Sequence, residues 1–392
     1  MIVRFHGVRG SIPNADLRTW RHGGNTACVE IETPAGHRII LDSGTGIRRL
    51  GRALLSAGAS APIHATILIS HYHWDHIQGL PFFPALYDPR NRFEFYGLTP
   101  EGGVSMETAL QGQMVRPYFP VDLSILAAAR SFQAVATGER WTVHDAQIEA
   151  AALYHPQGCL GFRIETDRGV VVYASDNEPG GPEGDAVVRH LAREADVLIF
   201  DSQFSPAMLA QRRGWGHSSW LEATRVAREA KAKGLFLFHH DPDADDSRVD
   251  TFVRLARKEW PDTWAASEGV QVSCRRPELC LVESTAPRIA PRIGASIPIR
   301  LRGRRADGAP LELEGTISNL SLKGGYVVVP ETPDPEFEVE ITPVESDGDH
   351  PMTGQVVRTT TDAETGLSGL GVVFTHEERT TRPTASPGTP QE

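Results

Sequence analysis

The segment 71–76, HYHWDH, constrains this chain most, and it directly follows the apolar run ATILIS. A lone histidine is often a core residue, but three histidines and an aspartate within six positions are hard to explain that way. Alternate side chains of an extended segment share a face, so His71 and His73 project together beyond the strand. Asp75 and His76 follow where the chain turns toward a helix predicted in IQGLPFFPAL. Imidazole and carboxylate groups are the usual ligands of zinc, iron and manganese, so the segment predicts two adjacent metal ions with one ligand pair each.

Further ligand-type residues follow other predicted strands. His155 ends AALYH, Asp176 follows VVVYAS, and a histidine pair follows GLFLF, where His239 and His240 are alternatives. The carboxyl ends of strands are where α/β proteins gather functional residues. We therefore expect these residues to complete the metal centre.

The first part of the chain alternates predicted strands and helices. Short apolar segments predict the strands: MIVRFHGV, ACVEIET, HRIILDSG, HATILIS, GFRIET, GVVVYAS, ADVLIFD and GLFLFHH. In HSSWLEATRVAREAKAKG, Ser219 and Glu222 have capping-box spacing and Gly234 is the expected terminator. A second helix, DSRVDTFVRLARKEW, stops before Pro261. Strands interleaved with helices predict an α/β fold.

Beyond SEGVQVSC the helical pattern disappears. ESTAPRIAPR contains prolines and no helical period, which is typical of a linker. IPIRLRG, LELEGTISNL, GGYVVVP, FEVEITPV, TGQVVRTT and GLGVVFT predict the alternating strands of a small all-β barrel. TTRPTASPGTPQE predicts disorder. The expected organisation is a first domain over 1–278, a linker over 279–287, a second domain over 288–377 and a disordered tail over 378–392.

Length and composition limit the classes of function. A chain of 392 residues, 40% hydrophobic and 23% charged, suits two folded units of a soluble protein. The net charge of −11 argues against a stable nucleic-acid complex and against binding to an anionic membrane. No apolar run approaches the ~20 residues of a bilayer span, and the start does not resemble a secretion signal. Four cysteines without a C-x-x-C pair predict reduced thiols and a cytoplasmic protein.

HYHWDH matches the H-x-H-x-D-H motif of the metallo-β-lactamase superfamily, and the resemblance covers about the first 275 residues. The resemblance implies an αβ/βα sandwich that binds two divalent ions, zinc or alternatively manganese or iron. By motif, the first ion would be held by His71, His73 and His155, the second by Asp75, His76 and His239, and Asp176 would bridge both. The family's final-strand histidine falls at His239, which is why we prefer it to His240. Asp42 in IILDSGTG matches a family carboxylate beside the metal-bound histidines, although a strand-to-turn cap would explain it too.

Two adjacent divalent ions lower the pKa of a shared water and neutralise charge growing on a phosphoryl oxygen. LIFDSQF and GWGHSSW resemble the acid–histidine pair of the ribonuclease Z-like branch. The resemblance implies that Asp201 orients His217 and that His217 is the general acid. The alternative is that Asp201 only ends a strand and His217 precedes a helix cap. Asp75 is a catalytic candidate as well as a ligand.

The substrate is expected to be a small phosphodiester. The ending HHDPDADD and the acid–histidine pair favour the phosphodiesterase side of the superfamily. Only 20 residues separate His155 from Asp176, which leaves no room for the long arm with which ribonuclease Z grips tRNA. Small phosphodiesters, including cyclic nucleotides, are therefore the expected substrates.

An arginine-rich segment precedes and enters the second domain. It contains Arg288, Arg292, Arg300, Arg302, Arg304 and Arg305 without an acidic residue. The alternation of Arg300, Arg302 and Arg304 predicts a solvated edge strand that charge protects from aggregation. Arg288 and Arg292 form R-x-x-x-R, the spacing in which arginine forks can hold phosphate or stack on a base.

The second domain resembles the PilZ family, whose motifs are R-x-x-x-R and [D/N]-x-S-x-x-G. NLSLKGG supplies the second motif through Asn319, Ser321 and Gly324, and GLGVVF resembles the family's final strand. The resemblance implies binding of cyclic di-GMP, with the arginines on phosphate or guanine and with Gly324 allowing close backbone approach. Because the arginines lie on the linker, ligand binding could reorient the domains and regulate the metal centre.

Three interpretations follow. The leading one is a dinuclear metallo-hydrolase of phosphodiesters regulated by cyclic di-GMP. The second is a catalytically weak or silent cyclic di-GMP effector or scaffold, which the complete ligand set disfavours. The third is a redox or oxygen-handling protein, which ranks last because no flavin-binding module follows. The natural substrate, the sign of regulation and the oligomeric state stay open, with a homodimer as one arrangement.

Overall fold

The computed structural model describes residues 1–56, 61–180, 182–275, 278–282, 293–304, 309–321, 324–330, 338–343, 352–361 and 368–374. The chain divides into two units, Met1–Pro287 and Arg288–Glu392. Among the described residues, no helix is long and apolar enough to cross a membrane.

Strands and helices alternate along the first unit. Its strands are β1 (Ile2–Gly7), β2 (Cys28–Glu32), β3 (Arg38–Leu41), β4 (His64–Ile69), β5 (Arg92–Gly97), β6 (Ala129–Ala134), β7 (Arg140–Val143), β8 (Ala146–Leu153), β9 (Cys159–Thr166), β10 (Gly169–Ala174), β11 (Val197–Asp201), β12 (Leu235–Phe238), β13 (Thr263–Ala265), β14 (Gln271–Arg275) and β15 (Glu278–Val282). Its α-helices are α1 (Gly46–Ser56), α2 (Trp74–Ile77), α3 (Met106–Gly112), α4 (Pro182–Leu191), α5 (Pro206–Gln211), α6 (Trp220–Ala230) and α7 (Asp246–Glu259).

The strands of the first unit form two sheets. The first has the order β15-β14-β1-β2-β3-β4-β5-β6, and the second has the order β13-β12-β11-β10-β9-β8-β7. The pairs β3-β4, β10-β11 and β11-β12 are parallel, so their carboxyl ends meet at common edges. These edges carry the candidate ligands.

Three apolar clusters bury both faces of each sheet. One lies between the sheets and contains Phe5, Tyr173 and Phe236. A second packs α1 and α3 on the first sheet, and a third packs α4, α6 and α7 on the second. Strands buried on both faces read as nearly continuous apolar runs, as GVVVYA of β10 does. This is the predicted αβ/βα sandwich.

Local expectations were wrong at three places in the first unit. The helix expected in IQGLPFFPAL is limited to the single turn of α2 followed by 3-10 turns, because Pro81 and Pro84 cannot continue an α-helix. Helix α6 begins after Ser219 as predicted but ends at Lys231, in left-handed conformation, before Gly234. Strand β15 pairs with β14 and extends to Val282, so residues 279–282 are strand although linker was expected from 279.

The second unit is a closed antiparallel barrel, as predicted. Its strands are β16 (Ile293–Arg304), β17 (Pro310–Ser321), β18 (Gly324–Val329), β19 (Glu338–Pro343), β20 (Met352–Thr361) and β21 (Ser368–Phe374), in the order β16-β17-β18-β21-β20-β19. Alternate residues such as Ile299, Leu301 and Ile317 fill its core. The disordered tail expected over 378–392 lies outside the described residues.

The strand that carries the alternating arginines is solvated, but it is not an edge. Strand β16 pairs with both β17 and β19, because closure of the barrel removes free edges. Arg300 and Arg302 point outward and form ion pairs with Glu312 at 3.5 and 3.2 Å.

Candidate metal centre

The first predicted group of ligands comes together at the ends of β4 and β8. His71, His73 and His155 each place one ring nitrogen within 4.8 Å of the others. Nε2 of His155 lies 3.1 Å from Nδ1 of His73. Nε2 of His71 is buried without a hydrogen-bond partner in the described part of the chain. An unpartnered, buried imidazole nitrogen that faces other imidazoles fits the donor atom of a metal ligand.

The second group is fully buried. Its members are Asp75, His76, Asp176 and His239. Nε2 of His239 lies 3.1 Å from Oδ2 of Asp75 and 3.2 Å from Nε2 of His76. His240 is the histidine that lies outside this group, because its Nε2 donates to the carbonyl of Ala266 at 2.9 Å.

The carboxylate of Asp176 faces both groups. Oδ1 lies 3.1 Å from Nε2 of His76 and 3.2 Å from Nε2 of His239. Oδ2 lies 3.7 Å from Nε2 of both His71 and His155. One oxygen toward each group is the arrangement that a bridging ligand requires.

Three of the strand-end residues have left-handed backbone. Asp42, Asp176 and His239 have φ values of 60°, 55° and 59°. Such conformations are costly for residues other than glycine and persist where the surrounding structure enforces them, often at functional sites. Asp42 and His239 directly follow β3 and β12, and Asp176 lies two residues after the end of β10.

Each histidine of the two groups is oriented by a protein oxygen. The acceptors are Ser70 Oγ for His71 Nδ1, Gln157 Oε1 for His73 Nε2, Asp42 Oδ2 for His76 Nδ1, Gly216 O for His155 Nδ1 and Gln203 Oε1 for His239 Nδ1. A donor on one nitrogen fixes the tautomer and leaves the lone pair of the other nitrogen toward the cluster. All five rings therefore direct their other nitrogen toward the cluster.

The protonation of the groups also suits cations. Burial lowers the pKa of His71 and His155, which keeps these imidazoles neutral and able to coordinate. Burial alone would raise the pKa of Asp75 and Asp176, but the imidazoles of His76 and His239 hold it well below its usual value. Burial alone would lower the pKa of His76, but the charges of Asp176, Asp75 and Asp42 raise it well above its usual value, so this ring carries a positive charge that a bound cation would replace. The neutral rings of His71 and His155 and the ionised carboxylates fit divalent cations.

Asp42 connects β3 to the metal centre. Its Oδ2 accepts hydrogen bonds from His76 Nδ1 and the phenol of Tyr173, both at 2.7 Å, and from Ser70 Oγ at 2.8 Å. Its Oδ1 accepts from the Ser70 amide. Asp42 therefore holds the candidate ligand His76, the place that the resemblance implied for it, and it also caps the turn after β4.

Two glycines allow ligands to pack closely. A Cβ at Gly10 would lie 2.3 Å from Cε1 of His239, and a Cβ at Gly216 would lie 2.1 Å from Nδ1 of His155. Beside Gly10, the amide of Ser11 donates to Oδ2 of Asp75 at 2.7 Å. Neither glycine stood out in the sequence, because the side chains that leave no room for a Cβ come from segments distant along the chain.

Asp201 and His217 are adjacent at the margin of the second group. Oδ2 of Asp201 lies 2.9 Å from Nδ1 of His217. Burial alone would lower the pKa of His217, but the charge and hydrogen bond of Asp201, with the charges of Asp176 and Asp75, raise it to about 9. At neutral pH this imidazole is protonated, as a general acid must be.

The metal centre opens into a cleft of about 410 Å³. The lining residues are Ser11, Tyr72, His73, Trp74, Asp75, Asp176 and His217. The Asp201–His217 pair, the two groups of candidate metal ligands and the cleft thus form one continuous site.

Comparison with known proteins gives the family. The model of the beta-lactamase superfamily domain matches residues 37–240, which is just over half of the 392 residues. The chain belongs to the beta-lactamase superfamily. A PilZ domain matches residues 286–383, so this superfamily member also carries a PilZ domain.

The relatives of this superfamily member include proteins named ribonuclease Z. That of Clostridium perfringens is 30% identical over 292 residues, which cover 60% of this chain and 88% of the relative. The ribonuclease Z of Methanopyrus kandleri is 26% identical over 314 residues, which cover 70% of this chain and 99% of the relative. That of Thermoplasma acidophilum is 34% identical over 98 residues, and the chain spans only 30% of its length.

Solved structures agree on the fold of this superfamily member. The metallo-beta-lactamase fold protein YhfI from Bacillus subtilis matches with a TM-score of 0.50 and 20% identity, over 69% of this chain and 97% of that one. The short form of human tRNase Z matches with a TM-score of 0.50 and 19% identity, over 70% of this chain and 99% of that one.

The predicted cyclic di-GMP residues belong to the PilZ unit of this superfamily member. Arg288 and Arg292 lie outside the described residues. Asn319 and Ser321 end β17 and Gly324 begins β18, and Ser321 pairs with Gly324 where the two strands meet. The second PilZ motif therefore spans the connection of one hairpin.

Proposed function

We propose that this chain is a dinuclear metal-dependent hydrolase of small phosphodiesters, cyclic nucleotides included, and that cyclic di-GMP regulates it through the PilZ domain. The observation that carries the catalytic part is Asp176, whose two oxygens face two separate groups of inward-pointing ligands. The relationship to proteins named ribonuclease Z supports phosphodiester hydrolysis.

A small substrate is supported by the backbone between His155 and Asp176. Strands β9 and β10 form an antiparallel hairpin that occupies almost all of this segment. No arm for gripping a large RNA projects there, and the net charge of −11 gives no general attraction to polyanions. A short phosphodiester can reach the cleft without either feature.

Seven residues would hold the metals, which we propose to be zinc, with manganese or iron as alternatives. The first ion would take His71, His73 and His155, the second Asp75, His76 and His239, and Asp176 both. When bound, two such ions supply Lewis acidity to the phosphoryl group and a water activated near neutral pH.

The protein's own groups would complete the reaction. Asp201 fixes the ring of His217 through Nδ1, which leaves Nε2 to deliver a proton to the departing oxygen. The Ser11 amide and Gln203 hold Asp75 and His239 in place, so the ligands need little reorganisation during the reaction. Protonation matters most for an alkoxide leaving group, such as a ribose oxygen.

The catalytic proposal is tested with the purified full chain. We expect about two metal ions per chain by mass spectrometry and hydrolysis of a bis-aryl phosphodiester that Asp75→Ala abolishes. Asp167→Ala, at a side chain 74% exposed, is the matched control and should retain activity. A wild type that binds two ions but hydrolyses none of a panel of linear and cyclic nucleotides would instead support the scaffold interpretation.

The regulatory proposal needs its own experiment. Calorimetric titration of the full chain with cyclic di-GMP should show binding that Arg292→Ala removes. Arg300→Ala is the matched control, because Arg300 is exposed on the barrel and pairs with Glu312. Saturating cyclic di-GMP should then change turnover and the scattering profile; if it binds and alters neither, the coupling of the domains is wrong.

A further inference from the structure

An exposed tryptophan stands at the entrance of the metal cleft. Trp74 lies between the candidate ligands His73 and Asp75, and 76% of its surface is exposed. It lines the cleft together with Asp75, Asp176 and His217. Single exposed apolar residues are common on protein surfaces. Trp74 differs from them because its indole lines a cleft whose other walls are polar.

The backbone that carries this indole is held by its neighbours. Trp74 begins α2, whose single turn is closed by hydrogen bonds from the amide of His76 to the carbonyl of His73 and from Gln78 to Trp74. On the preceding side, the phenol of Tyr72 donates to the carbonyl of Leu98 at 2.6 Å. The backbone beneath the indole is thus held on both sides, so stacking on the indole needs ordering of its side chain but none of its backbone.

The cleft therefore combines two kinds of surface. Its floor carries the carboxylates and imidazoles that would engage a phosphodiester, and its wall carries a flat apolar ring. A complementary substrate has an anionic group close to a planar aromatic one. A nucleotide has this combination, whereas a glycerol-based diester lacks the planar part.

We propose that Trp74 stacks on the base of a nucleotide substrate and makes the cleft selective for nucleotide over aliphatic phosphodiesters. The proposal rests on the proposed phosphodiesterase function. Stacking uses the π-face that every base has, so selectivity among bases is expected to be weak. Trp74 is a specificity residue; it takes no part in proton transfer.

The kinetic test compares two substrates, a 2′,3′-cyclic nucleotide and a glycerophosphodiester. Trp74→Leu should raise KM for the nucleotide roughly 10-fold with little change in kcat, because stacking acts in ground and transition states alike. KM for the glycerophosphodiester should not change, and Trp74→Phe should retain most nucleotide affinity. Tyr118→Leu is the control, since Tyr118 is 84% exposed and does not line the cleft.

A binding measurement separates this proposal from the catalytic one. Adenosine 5′-monophosphate should bind wild type more tightly than glycerol 3-phosphate, and Trp74→Leu should remove the difference while metal content stays unchanged. Equal losses for both ligands, or none for either, would overturn the role of Trp74. Wild type that hydrolyses neither diester, yet shows the Trp74-dependent preference, would refute the proposed function alone.

Discussion

Oδ2 of Asp201 lies 2.9 Å from Nδ1 of His217, at the edge of the cluster of candidate metal ligands. This pair fixes which nitrogen of His217 is available for chemistry. It also stabilises the imidazolium, so that the pKa of about 9 leaves His217 protonated at neutral pH.

The first prediction concerns this pair. His217→Ala should lower kcat about 10²-fold or more for a nucleotide with an alkoxide leaving group, but far less for a nitrophenyl ester, whose leaving group needs no proton. Activity on the nucleotide should fall at alkaline pH, when His217 loses its proton. Cations bound to Asp176 and Asp75 would offset part of the charge that raises this pKa, so the fall is expected below about 9 in the metal-loaded enzyme. Asp201→Asn should shift this fall to lower pH, as pH–rate profiles can measure. Equal losses on both substrates would instead assign the pair a structural role.

The second prediction concerns Asp42. Asp42→Asn keeps the shape of the side chain and tolerates the left-handed backbone, but it weakens the hold on Nδ1 of His76. Loss of such an orienting carboxylate typically costs 10–100-fold in metal affinity. Equilibrium dialysis against buffered zinc should therefore show weaker occupancy of one of two ions. Tyr173→Phe, which removes only one partner of Asp42, should have a smaller effect.

The third prediction uses the contact between Gly10 and His239. Gly10→Ala would place a methyl group 2.3 Å from the imidazole, so His239 must move. We expect loss of one metal ion per chain and of activity, with the group of His71, His73 and His155 intact. Gly112→Ala is a matched control, because its Cβ would have no neighbour within 4 Å. Two bound ions in the Gly10 variant would show that the ring has room to shift.

The fourth prediction concerns stability in acid, away from the metal centre. Burial alone would raise the pKa of Glu30, but the hydrogen bond and charge of His6, with the charges of Arg4 and Arg38, lower it to about 2 from 4.5. A depressed pKa contributes stability above the unfolded value, and this is lost as pH falls toward the folded value.

The free energy of unfolding of metal-free protein should therefore respond to Glu30→Gln in a pH-dependent way. The difference between wild type and variant should shrink by about 2 kcal/mol between pH 7 and pH 3, measured by urea denaturation. Glu165→Gln, at a side chain 48% exposed, is the control and should show a nearly constant difference. A pH-independent effect of Glu30→Gln would mean that the ion-pair network contributes no stability.

The sequence pointed to the candidate metal ligands because these residues follow strong strand signals. HYHWDH follows ATILIS, and Asp176 and His239 follow apolar strands whose carboxyl ends meet in the parallel sheets. Ser70, Gln203 and the Ser11 amide were missed, since their roles depend on which segments meet in three dimensions. No sequence pattern predicts that a backbone amide or an ordinary polar side chain will contact a candidate metal ligand from a distant segment.

Element boundaries were harder to predict for local reasons. Pro81 and Pro84 restrict α2 to one turn, although the apolar pattern continued beyond it. Lys231 ends α6 by adopting a conformation in which glycine is usual, so the later Gly234 was a misleading signal. The barrel was predicted well because apolar and polar residues alternate along each strand, and this alternation follows directly from one face being buried and the other solvated.

Glu178 holds the loop that serves both halves of the site. Its carboxylate accepts from the amides of Gly214 and Gly216 at 2.9 and 2.8 Å, and the carbonyl of Gly216 accepts from His155. His217 is the next residue, so the candidate ligand His155 and the candidate proton donor His217 depend on a single peptide unit. Substitutions that change the loop Gly214–His217 to suit a new leaving group would therefore also disturb the orientation of His155. Divergence in substrate choice should accumulate instead around the rim of the entrance.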